Sequence, residues 1–411
     1  MTKLFLIITF LVTTLGNVRA DDSKPLTLIE CYQLALKRSE VLASKEALVK
    51  EAEGQFLQSL STALPQLSYR YDIDYQQDRH RQESGRFTLS QPLFTGFKEF
   101  AAIRGSKSLK SQRQQDVIRA KQLLFIDVAD AYYLLAYYIN DLQAVVDILI
   151  SLKQQEDEII KRVNLGRARA SERAAIEAKR LNQEAALIEA KTNQIVAQDL
   201  LAFLIGRPVK ELDVNKRPLE STRDLADYEA LSAKRSDVLS AQYAFEVAQK
   251  KVTVAKAGFW PTVSLDGNYY TRHTPSTPHD WDALLKFEMP LFQGGSNVGD
   301  MKVAQAQATQ ASLVLSETER RALLETRQAY AKWQGAATRS EAFDKAYAAS
   351  MKSYQMQEED YANRLISILD FLQASNELLN ARREQNLAHT EASRWWWQLK
   401  VKAGDLDDVN F

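Results

Sequence analysis

The stretch Leu67-Ser68-Tyr69-Arg70-Tyr71-Asp72-Ile73-Asp74-Tyr75-Gln76 alternates apolar and polar side chains at every step. Strict period two puts Leu67, Tyr69, Tyr71, Ile73 and Tyr75 on one side of a strand and Ser68, Arg70, Asp72, Asp74 and Gln76 on the other. After a polar loop (77–85), Phe87, Leu89, Gln91 and Leu93 repeat the pattern, so strands are predicted over 66–76 and 86–94. A second pair is predicted over 262–271 and 283–292, where Leu285, Phe287, Met289 and Leu291 oppose Leu284, Lys286 and Glu288. Its loop, 272–282, carries two prolines and is predicted to be exposed.

The second pair belongs to a second copy of the whole unit. Arg38-Ser39-Glu40-Val41-Leu42 returns as Arg235-Ser236-Asp237-Val238-Leu239, and Leu64-Pro65-Gln66-Leu67-Ser68 as Trp260-Pro261-Thr262-Val263-Ser264. Pro92-Leu93-Phe94-Thr95-Gly96 returns as Pro290-Leu291-Phe292-Gln293-Gly294, and Gly206 as Gly404. Four landmarks in one order, 196–198 residues apart, mark a duplication into repeats 21–214 and 215–411.

Between the strands lie long proline-free segments, and proline costs about 3 kcal/mol in a helix interior. Helices are predicted over 27–61 and 227–258, then over 97–163 with a return over 171–204, and over 295–362 with a return over 367–402. A 67-residue helix extends roughly 100 Å at about 1.5 Å per residue. Leu124, Ala131, Tyr138, Val145 and Leu152 keep heptad register with Val128, Leu135, Leu142 and Leu149, either a coiled-coil seam or ordinary helix pairing. Ala322, Ala329, Ala336 and Phe343 are a blander counterpart.

The 411-residue composition argues against catalysis and nucleic-acid binding. Lys+Arg and Asp+Glu both number 53, which leaves no basic field for nucleic acid. The single Cys31, read as a small buried helix residue, excludes an intramolecular disulfide, and four histidines leave little for a metal relay. His80, His273 and His279 fall in the outer loops, either solvated or together on a metal. No P-loop, dinucleotide-binding or nucleophile motif appears, so no enzyme and no cofactor is expected.

Residues 1–20 read as a secretory signal: Lys3, an apolar run over 4–15, then Val18 and Ala20 at the small-residue positions before cleavage. Its removal leaves 51 basic against 53 acidic residues. No later stretch approaches the roughly 20 apolar residues of a spanning helix. A spanning sheet must close on itself, because lipid leaves free backbone edges unsatisfied. Four strands from one chain are too few. Two chains would supply eight, a number whose interior side chains fill; three would supply twelve, wide enough for water.

The duplicated Leu-Pro/Trp-Pro strand starts and Pro-Leu-Phe-x-Gly strand ends, over about residues 26–404, resemble the TolC-type outer-membrane efflux protein family. The resemblance implies a mainly α fold with transmembrane β: a homotrimer with a 12-stranded outer-membrane barrel continued by a long periplasmic barrel of helices. It implies a passive exit duct of an efflux or type I secretion system. Its partners would be a periplasmic adaptor, an inner-membrane pump or export ATPase, and outer-membrane lipid. The competing reading is an exported coiled-coil scaffold or adaptor without a pore; the apolar strand faces favour the duct.

The resemblance also implies site residues. Asp370 matches the first of two acids that ring the family's periplasmic entrance, and Gln373 replaces the second, leaving three carboxylates in a trimer; three like charges would favour cations. Ser367 with Asp370 equally reads as a capping box. Tyr361 matches a gate tyrosine, and Ser171 and Glu172 a polar pair, so a Tyr361–Glu172 hydrogen bond is expected; Ile366 stands at the gate arginine position. Adaptor docking maps to the helix turns at Leu165, Gly166 and Arg167 and at Asn363, Arg364 and Leu365, with Asn363 available for the left-handed residue. Trp395-Trp396-Trp397 cannot share one helix face and is predicted to be a packing girdle.

Overall fold

A computed structural model of the chain describes residues 25–75, 81–213, 223–274 and 277–405. The signal segment and His80 lie outside the described residues. The first repeat runs α1 (Leu28–Arg38), α2 (Glu40–Ser61), β1 (Gln66–Asp74), β2 (Gln82–Thr95), α3 (Lys98–Asn164) and α4 (Ala170–Ile205). The second runs α5 (Leu225–Ser232), α6 (Ser236–Ala257), β3 (Thr262–Arg272), β4 (Trp281–Glu288), α7 (Ser296–Ala362) and α8 (Ile368–Ala403).

The helix expected over 27–61 is two helices. Ser39 is extended (φ −65°, ψ 112°) and its hydroxyl accepts from the Leu42 N–H, capping α2. The helix expected over 227–258 breaks likewise before Ser236. There Arg235, 1% exposed, is held by both Asp237 oxygens, by Glu325 and by the Lys402 carbonyl. Four hydrogen bonds from a buried guanidinium fix the corner between α5 and α6.

The strands form one antiparallel sheet in the order β1-β2-β3-β4. Leu67, Leu89, Gly267, Ala283 and their neighbours make one continuous face, through the pairs Leu67↔Leu89, Leu89↔Gly267 and Gly267↔Ala283. Tyr69, Phe87, Tyr269 and Trp281 form the next row of it. The opposite face carries a polar ladder. Thr88 donates to Asn268 (2.8 Å), which donates to Asp282 (2.8 Å), while Ser90 and Lys286 both reach Asp266 (2.6 and 2.5 Å).

Strand bounds differ from expectation most at β2 and β4; β1 also ends at Asp74 rather than 76, and β3 runs on to Arg272 rather than 271. β2 begins earlier, at Gln82, and a bulge between Pro92 and Phe94 puts Phe94, rather than Leu93, opposite Val263. β4 spans Trp281–Glu288 instead of 283–292. Its intrachain partner β3 starts at Thr262, opposite Glu288, so Leu291 and Phe292 have no strand to join among the described residues and are 87% and 89% exposed. The first copy of the same motif is inside the sheet, because β2 has β3 on its far side.

At each sheet-to-helix junction two successive residues are left-handed: Gly96 and Phe97 (φ 66° and 65°), then Gly294 and Gly295 (φ 60° and 87°). One 18-residue window of α3 is, against expectation, apolar enough to cross a membrane by composition. This helix instead builds the helical layer's core: Phe125 meets Tyr32 of α1 and Trp397 of α8 edge-on, at 5.1 and 5.0 Å. Val128, Leu135, Val145, Leu149 and Leu152 of the heptad seam are buried, as are Ala322, Ala329 and Ala336 of α7. The tryptophans diverge: Trp397 donates to the Tyr133 hydroxyl (3.1 Å), Trp396 packs beside it, and Trp395 lies under Lys332 of α7. Cys31 is fully buried, and desolvation pushes its thiol up to about 12.

Candidate functional site

The far ends of the α3–α4 and α7–α8 hairpins gather the residues singled out from the sequence. Both turns share one backbone. The left-handed residue is Gly166 (φ 71°) in the first and Arg364 (φ 66°) in the second, not Asn363, whose φ is −82°. Arg167 N–H donates to the Arg162 carbonyl and Leu365 N–H to the Asp360 carbonyl, each at 2.8 Å. These bonds satisfy carbonyls that the helix ends leave free. Leu165, Gly166, Arg167, Asn363, Arg364 and Leu365 are all exposed.

The turns differ in charge. Residues 161–173 hold Lys161, Arg162, Arg167, Arg169 and Arg173 against Glu172, whereas 359–371 hold Arg364 against Glu359, Asp360 and Asp370. Only Arg162 of the first set has an acidic partner among the described residues, Glu158 at 3.5 Å.

Asp370 completes a capping box at the start of α8. Its carboxylate accepts from the Ser367 hydroxyl (2.7 Å) and N–H (3.1 Å), while Asp370 N–H donates to the Ser367 hydroxyl. Those two donors hold the Asp370 carboxyl below its ordinary value. One turn on, exposed Gln373 donates to Glu377 (3.0 Å), so an acid does follow on this face, one turn later than the resemblance placed it.

Tyr361 is buried rather than poised at the surface. Its ring stacks on Phe371 (5.3 Å, 22°), with the Arg162 guanidinium 5.4 Å from its centroid. Burial raises its pKa, Arg162 opposes this, and Glu172 and Glu158 add to it through space. No Tyr361–Glu172 hydrogen bond forms within the chain; Glu172 is half-buried and Ser171 exposed. Tyr354 also packs on Phe371 (5.6 Å) and shares a hydrogen bond with Ser151 of α3 (2.8 Å), and Lys179 of α4 donates to Asn376 of α8. These contacts tie the second hairpin to the first. The sequence reading missed Phe371, Arg162 and Tyr354, although Tyr347, Tyr354 and Tyr361 at seven-residue spacing signal a buried helix stripe.

The two described loop histidines take different partners: His273 faces Asp280 (3.1 Å), and His279 faces Asp282 and meets Tyr270 edge-on. Among the described residues no cluster of metal-ligating side chains forms.

Comparison with known proteins places this geometry. The chain is 22% identical to the alkaline protease secretion protein AprF of Pseudomonas aeruginosa, over 95% of this chain and 87% of that one. It is 23% identical to the outer membrane protein TolC of Escherichia coli, over 92% of this chain and 81% of that one. The solved outer membrane protein VceC of Vibrio cholerae has the same fold, with a TM-score of 0.79, 21% identity, and 92% and 96% of the two chains covered. The model of the outer membrane efflux protein family matches residues 31–207 and 228–404, one span per repeat, and the chain belongs to that family.

Proposed function

We propose that three copies of this chain form a passive exit duct across the outer membrane, in series with a periplasmic adaptor and an inner-membrane efflux pump or export ATPase. The sheet carries this reading. It has one apolar face for lipid, one polar, hydrogen-bonded face for a wet lumen, and two edges, β1 and β4, without strand partners among the described residues. Lipid does not tolerate open edges, and twelve strands enclose water. The signal over 1–20 directs export, and the repeats 21–214 and 215–411 each supply two strands and one long hairpin.

In this reading the hairpin ends form an iris. Asp370 and Gln373 line its mouth, the packing of Tyr361 on Phe371 holds the second hairpin closed with Glu172 and Ser171 at the start of α4 as the gate's polar pair, and the turns at Leu165–Arg167 and Asn363–Leu365 receive the adaptor. The test is the native mass of the protein extracted in mild detergent, with conductance in a planar bilayer. Three copies and a discrete conductance are expected; a detergent-independent soluble monomer would overturn the duct in favour of a scaffold.

A further inference from the structure

The duplicated sequence specifies how two copies of the chain meet. β1 and β3 correspond at an offset of 196 residues, through Pro65 and Pro261, and β2 and β4 at 198, through Pro92 and Pro290. The structure obeys both offsets: β1 starts opposite β2 with Gln66↔Ser90, and β3 opposite β4 with Thr262↔Glu288. The β2–β3 junction inside the chain therefore has one counterpart, between β4 of one copy and β1 of the next.

We propose that this intermolecular junction takes the register of β2–β3 transferred by those offsets. Leu89↔Gly267 becomes Phe287 opposite Tyr71 of the partner subunit, and Phe87↔Tyr269 becomes Leu285 opposite Ile73 of the partner subunit. Phe94↔Val263, beyond the bulge, becomes Phe292 opposite Leu67 of the partner subunit. The bare Phe292 thus gains a partner that the chain alone does not give it, Leu291 falls at the transferred bulge beside it, and the paired apolar residues stay on the lipid face.

Charge supports the register independently, since nothing in the offsets refers to it. Ser90↔Asp266 becomes Glu288 opposite Arg70 of the partner subunit, and Thr88↔Asn268 becomes Lys286 opposite Asp72 of the partner subunit. Both are opposite-sign pairs at direct cross-strand positions, which stabilise a ladder. A slip of two residues one way sets Lys286 against Arg70 of the partner subunit with no opposite-sign pair; the other way it sets Glu288 against Asp72 of the partner subunit and keeps one opposite-sign pair in place of two, Lys286 with Asp74 of the partner subunit. A slip of one turns the apolar side chains into the lumen. Arg70 and Asp72 have no ion-pair partner in their own chain among the described residues, whereas Lys286 already reaches Asp266 and would lie between two carboxylates.

The inference rests on the shared-barrel reading, and its test separates the two. The double variant Ile73→Cys/Leu285→Cys is oxidised in detergent and run with and without reductant. The two positions lie three strands apart in one chain, about 14 Å across the strands at roughly 4.8 Å each, and are further offset along them, since Ile73 is level with Glu83 and Leu285 with Gln91, so a bond between them must join copies. The result expected is a reductant-sensitive covalent trimer, with Tyr71→Cys/Leu285→Cys, one step out of register, giving far less. The parent chain, whose sole Cys31 is buried, stays monomeric in the gel. Cross-linking strongest in the offset pair, or absent from both pairs in a protein of trimeric native mass, overturns the register while leaving the duct intact. A conducting trimer that loses mass in Lys286→Asp and regains it in Lys286→Asp/Asp72→Lys supports the register by a route needing no disulfide.

Discussion

Tyr361 near the end of α7 and Phe371 near the start of α8 stack almost parallel across the second hairpin, ring centres 5.3 Å apart. The pair closes the hairpin's end from within, and Arg162 of the first hairpin covers the tyrosine's ring. Phe371 is fully buried, so Phe371→Ala leaves a cavity under both Tyr354 and Tyr361. Such truncations cost about 3–5 kcal/mol. The expected outcome is faster amide exchange over residues 354–372 and a larger single-channel conductance, with the barrel unaffected.

Arg364 holds a left-handed conformation that costs a residue with a Cβ roughly 1–2 kcal/mol. Arg364→Gly is expected to slow exchange at the second turn by an amount corresponding to about 1 kcal/mol. Gly166 sits in the same conformation with nothing within 4 Å of an added Cβ, so Gly166→Ala is expected to destabilise the first turn through the backbone alone. Equal exchange in parent and variants would refute both.

The Ser367–Asp370 box makes the start of α8 sensitive to acid. Asp370's folded pKa lies below the ordinary 3.8, so the unfolded turn binds its proton first as pH falls. The cap's contribution is complete above that ordinary value and is lost as pH drops through the lowered one. Amide protection at residues 368–371 should fall across that acid window in the parent chain and show no such step in Asp370→Asn.

Segregated charge at the hairpin ends predicts how an adaptor would be read. Arg167, Arg169 and Arg173 are exposed and without acidic partners among the described residues, so an acidic adaptor surface would favour the first turn. Reversing these three to Glu should weaken adaptor binding and flatten its salt dependence, and reversing Arg364 alone should do less. Binding indifferent to all four changes would remove the arginines from docking.

Much of this architecture is legible in the sequence because both strands and helices repeat. The alternation from Leu67 to Tyr75 and the Pro-Leu-Phe-x-Gly pair are local patterns, and duplication doubles their signal. The helix breaks at Ser39 and Arg235 were in view as well: the repeated Arg-Ser-acid-Val-Leu landmark is itself the corner, a cap in one copy and a buried arginine in the other. Helix propensity hid them, since a sum over a window does not register one capped residue. The end of β4 at Glu288 depends on what the neighbouring strand offers, which no local pattern encodes. Tyr361's burial against Phe371 arises from two helices folding back on each other, and so a residue matched to a gate by position is also part of a small aromatic core.

The edges of β1 and β4, unpaired among the described residues, have a consequence for heredity. In the shared-barrel reading, a chain that offers two sticky edges and satisfies neither by itself cannot enter lipid as a finished unit, so insertion has to wait for, or accompany, the meeting of copies. A defective copy with one good edge would still be recruited and would leave the ring open. Mutations that spoil a single edge are therefore expected to be dominant over a normal allele expressed in the same cell, whereas mutations that prevent the chain from folding at all would be recessive.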